Sequence, residues 1–154
     1  MGALVVMLAV LAPWFHELAH WAVARTQTDE LEFQYFLQVI PYGIRFGDIE
    51  ELSNRGLTAT ALAPQLFLLT FALLYSQIFA IPMATEWIYR GSLFHLLKWG
   101  IFFAALTGGL VISPADLLAV FCQEDYRNWE ERGHDKRSHL GLVLVLIRCI
   151  FSRG

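Results

Sequence analysis

From Leu57 to Thr85 the chain carries no charged residue. That run exceeds the roughly 20 apolar residues that cross a hydrocarbon core. In lipid every backbone N–H and C=O must be satisfied within the protein, so such a run can only be a helix. The sequence therefore predicts a transmembrane helix over about 57–81, closed by Ile81-Pro82. Two further runs have the same character. Gly2 to Ala24 is uncharged apart from Glu17. Leu93 to Ile112 is interrupted only by Lys98, whose ammonium can snorkel to the interface. No Lys or Arg precedes the first run, so it reads as a span rather than as a secretory signal. The 56% hydrophobic and 16% charged composition agrees with a membrane protein. A net charge of −3, with no basic stripe, gives no reason to expect nucleic acid.

Between the first two spans, Leu31, Phe33, Tyr35, Leu37 and Val39 alternate with Glu32, Gln34 and Gln38, and Phe36 breaks the pattern. Pro41-Tyr42-Gly43 supplies turn chemistry, and Ile44 and Phe46 resume the alternation. Residues 31–50 are thus expected to form a β-hairpin. Beyond Asp116 the third helix is expected to continue to about Cys122. Residues 123–139 read as a solvated polar segment. Residues 140–151 are too few to span and read as an interfacial or partner-binding helix. Cys122 and Cys149 are far apart in sequence and are expected to be two inert, unpaired thiols.

The fold expected is an all-α membrane protein, a three-transmembrane-helix core with a small β-hairpin between helices 1 and 2. The core occupies residues 1–122 and the tail 123–154. Lys and Arg set the orientation. Arg25, Arg45, Arg55, Arg127, Arg132, Lys136 and Arg137 fall on one side, and Arg90 and Lys98 on the other. Hairpin and tail are expected in the cytoplasm.

The chemistry lies in the first span, at His16-Glu17-Leu18-Ala19-His20. Residues four apart share a helix face, so both imidazoles can turn to one ion. Glu17 lies on the adjoining part of that face. Two imidazoles for Zn²⁺ and a carboxylate for a water proton are what a zinc hydrolase needs. Ionisable groups inside a membrane are costly and mark function. Catalytic zinc takes a third protein ligand. His134 and His139 lie in the polar tail, and His95 starts the third span from the opposite side. Asp116 comes late in the third span after Gly108-Gly109 and Ser113-Pro114, which loosen or kink the helix, and it reaches the depth of His16 and His20. Its alternative role is an acid in the first turn of a helix opened by Pro114.

These residues resemble the site-2 protease family of intramembrane zinc metalloproteases, as a minimal and divergent member. The likeness rests on His16-Glu17-Leu18-Ala19-His20, on the uncharged middle helix with Ala63-Pro64-Gln65, and on Asp116 after a proline in the third helix. It implies zinc held by His16, His20 and Asp116, with Glu17 as catalytic base. It also implies a multi-pass protein of a prokaryotic cell membrane that cuts the helices of membrane-protein substrates near the cytoplasmic face. A regulatory membrane partner belongs to that expectation. The competing expectation is a zinc-containing, inactive protein that binds or regulates a membrane partner.

Overall fold

The structure is a computed structural model that describes residues 2–80, 93–131 and 138–152. The chain begins with α1 (Gly2–Ala24), followed by β1 (Leu31–Phe36), β2 (Ile40–Phe46) and α2 (Asn54–Tyr75), which runs on as a π-helical turn (Ser76–Ala80). Then come α3 (Leu93–Leu110), α4 (Pro114–Phe121), α5 (Gln123–Glu131) and α6 (Ser138–Ser152). Gly2–Ala24 and Asn54–Phe79 are each long and apolar enough to cross a membrane. Leu96–Leu110 with Pro114–Phe121 makes a third span if the bent pair is taken as one. Ile81-Pro82, the expected close of the second span, lies outside the described residues.

Helices α1, α2 and α3 pack mutually. Their outer faces carry exposed Val5, Val6, Leu66, Phe67, Leu73 and Leu74, which suit a lipid neighbour. The inner stripe of α1 is Ala12, His16, Glu17, Ala19, His20 and Ala24, spaced as one helical face. The small residues on it let α3 approach closely. A Cβ on Gly108 would stand 3.0 Å from the Ala12 carbonyl oxygen and 3.0 Å from Leu68 Cδ1. Gly108 therefore serves close packing of α3 on α1 and α2.

The third span does not run on unbroken to Cys122. Residues 111–113 leave the helix, and α4 sets off at 48° to α3. Pro114 is the cause. It cannot donate to the preceding turn, but it suits the first position of a new helix. Ser113 caps that helix, its Oγ accepting from the Asp116 N–H at 3.1 Å.

The hairpin forms as expected between the first two long helices, antiparallel, with Leu31 opposite Phe46 and Phe33 opposite Ile44. Its turn is elsewhere. Pro41, Tyr42 and Gly43 lie within β2, and the chain reverses at Leu37 and Gln38, with φ of 51° and 61°. Two positive φ values suit the twist of a tight hairpin, though Asn-Gly is the usual sequence for it. The hairpin lies along α1. The Trp14 indole donates to the Val39 carbonyl at 3.1 Å, and Trp14 and Trp21 both pack on Phe33.

The tail also departs from its sequence reading. Residues 123–131 are not merely solvated: they form α5, with Tyr126 and Glu130 buried. The Arg127 guanidinium donates to the carbonyls of Ile49 and Leu52, and Gln123 Nε2 donates to the Asn54 carbonyl at 2.9 Å. Those bonds fasten α5 to the start of α2. Helix α6 turns Leu142, Leu146 and Cys149 inward into a core with Leu57, Ala61, Leu118 and Tyr126. Cys122 and Cys149 are not separate thiols but a disulfide joining the end of α4 to α6. Sequence distance concealed the pairing because α5 folds back and returns the chain to α4.

Candidate metal centre

His16 and His20 project from the inner stripe of α1, one turn apart, and both are buried. His16 Nδ1 lies 2.7 Å from the Gly108 carbonyl oxygen on α3. His20 Nδ1 lies 2.7 Å from the Thr60 carbonyl oxygen on α2. A carbonyl only accepts, so each Nδ1 carries the hydrogen and donates it. Each neutral ring then presents a bare lone pair at Nε2. The two Nε2 atoms face each other at 3.0 Å. Two acceptors cannot satisfy each other at that distance. A cation between them would satisfy both lone pairs.

Asp116 completes the group. Its Oδ1 lies 3.3 Å from His20 Nε2 and its Oδ2 3.8 Å from His16 Nε2. The Ser113 backbone N–H donates to Oδ2 at 2.8 Å, closing a capping box at the start of α4. Asp116 is thus the first-turn acid of α4, and it also stands beside both imidazoles. The cap fixes the carboxylate, and the fixed carboxylate faces the imidazoles.

One ligand atom from each of His16, His20 and Asp116 falls within a 4.8 Å set. Donors arranged tetrahedrally at about 2.0–2.1 Å from zinc stand about 3.3 Å apart. The observed 3.0 and 3.3 Å separations match that spacing to a few tenths of an ångström, and the 3.8 Å from His16 to Asp116 is about half an ångström longer. Histidines that hold metal usually donate their other ring N–H to a carbonyl or carboxylate, which fixes ring and tautomer. Both histidines here do so. The donor set and its support therefore fit a zinc ion.

Glu17 lies beside this group on α1, buried, and its carboxylate makes no hydrogen bond among the described residues. It lines a cavity of about 140 Å³ with His16, His20, Asp116, Gln34 and Tyr126. At about 30 Å³ per water, that space holds roughly four or five waters, enough for a peptide group.

A second grouping, Cys122, Asp125 and Cys149, also comes close enough for a metal. Its two sulfurs are joined in the disulfide, so no thiolate is offered there. The side chains of His95, His134 and His139 lie outside the described residues.

Sequence reasoning missed Tyr126, Trp129 and Glu130. Tyr126 and Trp129 line the cavity from α5, and Glu130 Oε1 accepts from the Phe46 N–H at 3.3 Å. Their spacing of i, i+3 and i+4 was a legible signal. An aromatic pair on one face of "QEDYRNWEE" marks an inward side in a segment otherwise polar. Gly108 and Thr60 act through backbone carbonyls, for which side-chain identity gives no signal.

No family model, curated protein or solved structure matches the chain.

Zinc analysis of the purified protein in detergent is expected to give about one zinc per chain for wild type, lost or much weakened in His16→Ala and in Asp116→Ala. Wild-type protein that takes up no zinc when metal is offered back would mean that a proton, not a metal, sits between the imidazoles.

Proposed function

We propose that this chain is an intramembrane zinc metallopeptidase that hydrolyses peptide bonds of membrane-protein substrates near the cytoplasmic face. The observation that carries the reading is the pair of imidazoles, each locked by a carbonyl, with both bare Nε2 atoms turned to one point beside Asp116. The unengaged Glu17 carboxylate at the same cavity favours catalysis over a purely structural metal. An isolated buried carboxylate is expensive, and structural zinc has no use for one.

His16, His20 and Asp116 would hold the zinc, which when bound supplies a Lewis acid and lowers the pKa of water. Glu17 holds a water in the cavity and takes one of its protons. The water oxygen forms the new bond to the scissile carbonyl carbon, and the C–N bond breaks. Glu17 then gives the proton to the leaving amine, so acid and carboxylate forms alternate over one turnover. The Lys and Arg distribution favours hairpin and tail on the cytoplasmic side, and the cavity that they line would take its water from there.

A transmembrane helix hides its carbonyls in hydrogen bonds, so a substrate must unwind before it is cut. The hairpin offers a place for the unwound strand. Gly47 N–H donates to the Glu30 carbonyl at 2.9 Å, which makes 30 and 47 a bonded pair. In the antiparallel register, the backbone groups of Phe46 and Ile44 then point away from β1. Ile44 lies on the cavity wall, so its outward N–H and C=O can pair with an extended peptide.

Two substitutions test these roles. Glu17→Gln should keep about one zinc and abolish cleavage of host membrane proteins, read as new N-termini absent from the variant's membranes. Unchanged cleavage in Glu17→Gln would remove the peptidase mechanism. If neither protein generates new N-termini while both bind zinc, the non-catalytic binding role takes its place. Ile44→Pro removes one outward donor without touching a β1–β2 bond. It should slow cleavage at least about tenfold while zinc is retained; full activity would rule out strand pairing at β2.

A further inference from the structure

The cavity has more polar groups than base and metal ligands. Beyond His16, Glu17, His20 and Asp116, its hydrogen-bonding side chains are Gln34, Tyr42, Thr60, Ser113, Tyr126 and Trp129. Thr60 Oγ1 accepts from Gln27 Nε2 at 3.3 Å, and Ser113 Oγ accepts from the Asp116 N–H. The atom of Gln34 that is buried without a partner is its amide oxygen, an acceptor. Tyr42 is about half exposed, at 48%. Among the hydroxyls, the Tyr126 phenol differs from the rest. It is buried, it lines the cavity, and its hydroxyl makes no hydrogen bond among the described residues.

We propose that Tyr126 is a catalytic residue, its O–H donating a hydrogen bond to the oxyanion that develops on the scissile carbonyl. The proposal rests on the peptidase reading above. Hydrolysis of an amide places negative charge on that oxygen in the transition state, and a fixed donor aimed there lowers the barrier. Glu17 and Tyr126 border the same cavity of about 140 Å³, so a carbonyl bound there beside Glu17 shares the space with the phenol. The phenol must remain protonated to donate. Burial, reinforced by the negative charges of Glu130, Asp116 and Glu17, holds it well above the ordinary tyrosine value. It keeps its proton throughout and is neither acid nor base in the reaction.

The position of the ring is held by other groups. It packs on Trp129 with centroids 5.9 Å apart. Helix α5 is fastened by Arg127 to the Ile49 and Leu52 carbonyls and by Glu130 to the Phe46 N–H. Tyr126→Phe therefore removes the hydroxyl and leaves the packing.

The test compares wild type, Tyr126→Phe and Glu17→Gln as purified, zinc-loaded full-length chains. Fluorescein-labelled casein serves as an unfolded substrate that needs no unwinding. A phosphinic pseudopeptide serves as an uncleaved mimic of the tetrahedral oxyanion. Tyr126→Phe is expected to lower kcat about 100-fold with KM within about twofold. Binding of the phosphinate should weaken by a similar factor, with zinc content and Tm unchanged. Casein cleavage that Glu17→Gln abolishes but Tyr126→Phe leaves intact overturns the role of Tyr126 and spares the peptidase reading. A fall in kcat matched by a fall in Tm or zinc content also overturns it, because the hydroxyl would then be structural. Wild-type protein that neither cuts casein nor binds the phosphinate removes the peptidase reading and the role of Tyr126 with it.

Discussion

Two hydrogen bonds organise this molecule: His16 Nδ1–H to the Gly108 carbonyl and His20 Nδ1–H to the Thr60 carbonyl. Each joins α1 to a different helix, so the three-helix arrangement and the orientation of the imidazoles are one and the same fact. The bonds also fix the chemistry. With both hydrogens committed at Nδ1, both lone pairs are turned inward, which suits the site to a cation. Gly108 is where packing and chemistry meet. Its lack of a side chain lets α3 come against α1 close enough for its carbonyl to receive the histidine hydrogen.

The break after α3 is the second constraint. A straight helix through 110–121 would carry Asp116 along the axis of the span. Ser113 and Pro114 instead start a new helix at 48°, and the capping box holds the Asp116 carboxylate against the imidazoles. The residues that end one helix thus place the third member of the site. Hairpin and tail then enclose it. The hairpin leans on Trp14 and Trp21, and α5 and α6 bring Tyr126, Trp129 and Leu142 to the same cavity.

Much of this was legible in the sequence because membrane burial and helical spacing leave few options. Uncharged runs located the long helices, and the four-residue spacing of His16 and His20 put both on one face. The chain direction of the spans gave Asp116 its depth. The hairpin showed in its alternation, but its turn did not. Leu37 and Gln38 adopt positive φ without the Asn or Gly that usually announces it. The bend at 111–113 was half visible: Ser113-Pro114 signalled a helix start, but Gly108-Gly109 looked like part of the same weakness and proved to be a packing surface. The disulfide and the folding of α5 over the site depend on contacts between segments remote in sequence. Neither follows from periodicity. The charged residues around Tyr126 and Trp129 made a structural wall look like a solvated linker.

The central claim is that a metal is held by two imidazoles and one carboxylate inside the helix bundle. X-ray absorption at the zinc edge of the loaded protein tests it most directly. The expected result is a shell of nitrogen and oxygen neighbours at about 2.0–2.2 Å, with the outer-shell scattering of two imidazole rings. A shell that lacks the outer scattering of imidazole rings would contradict the account.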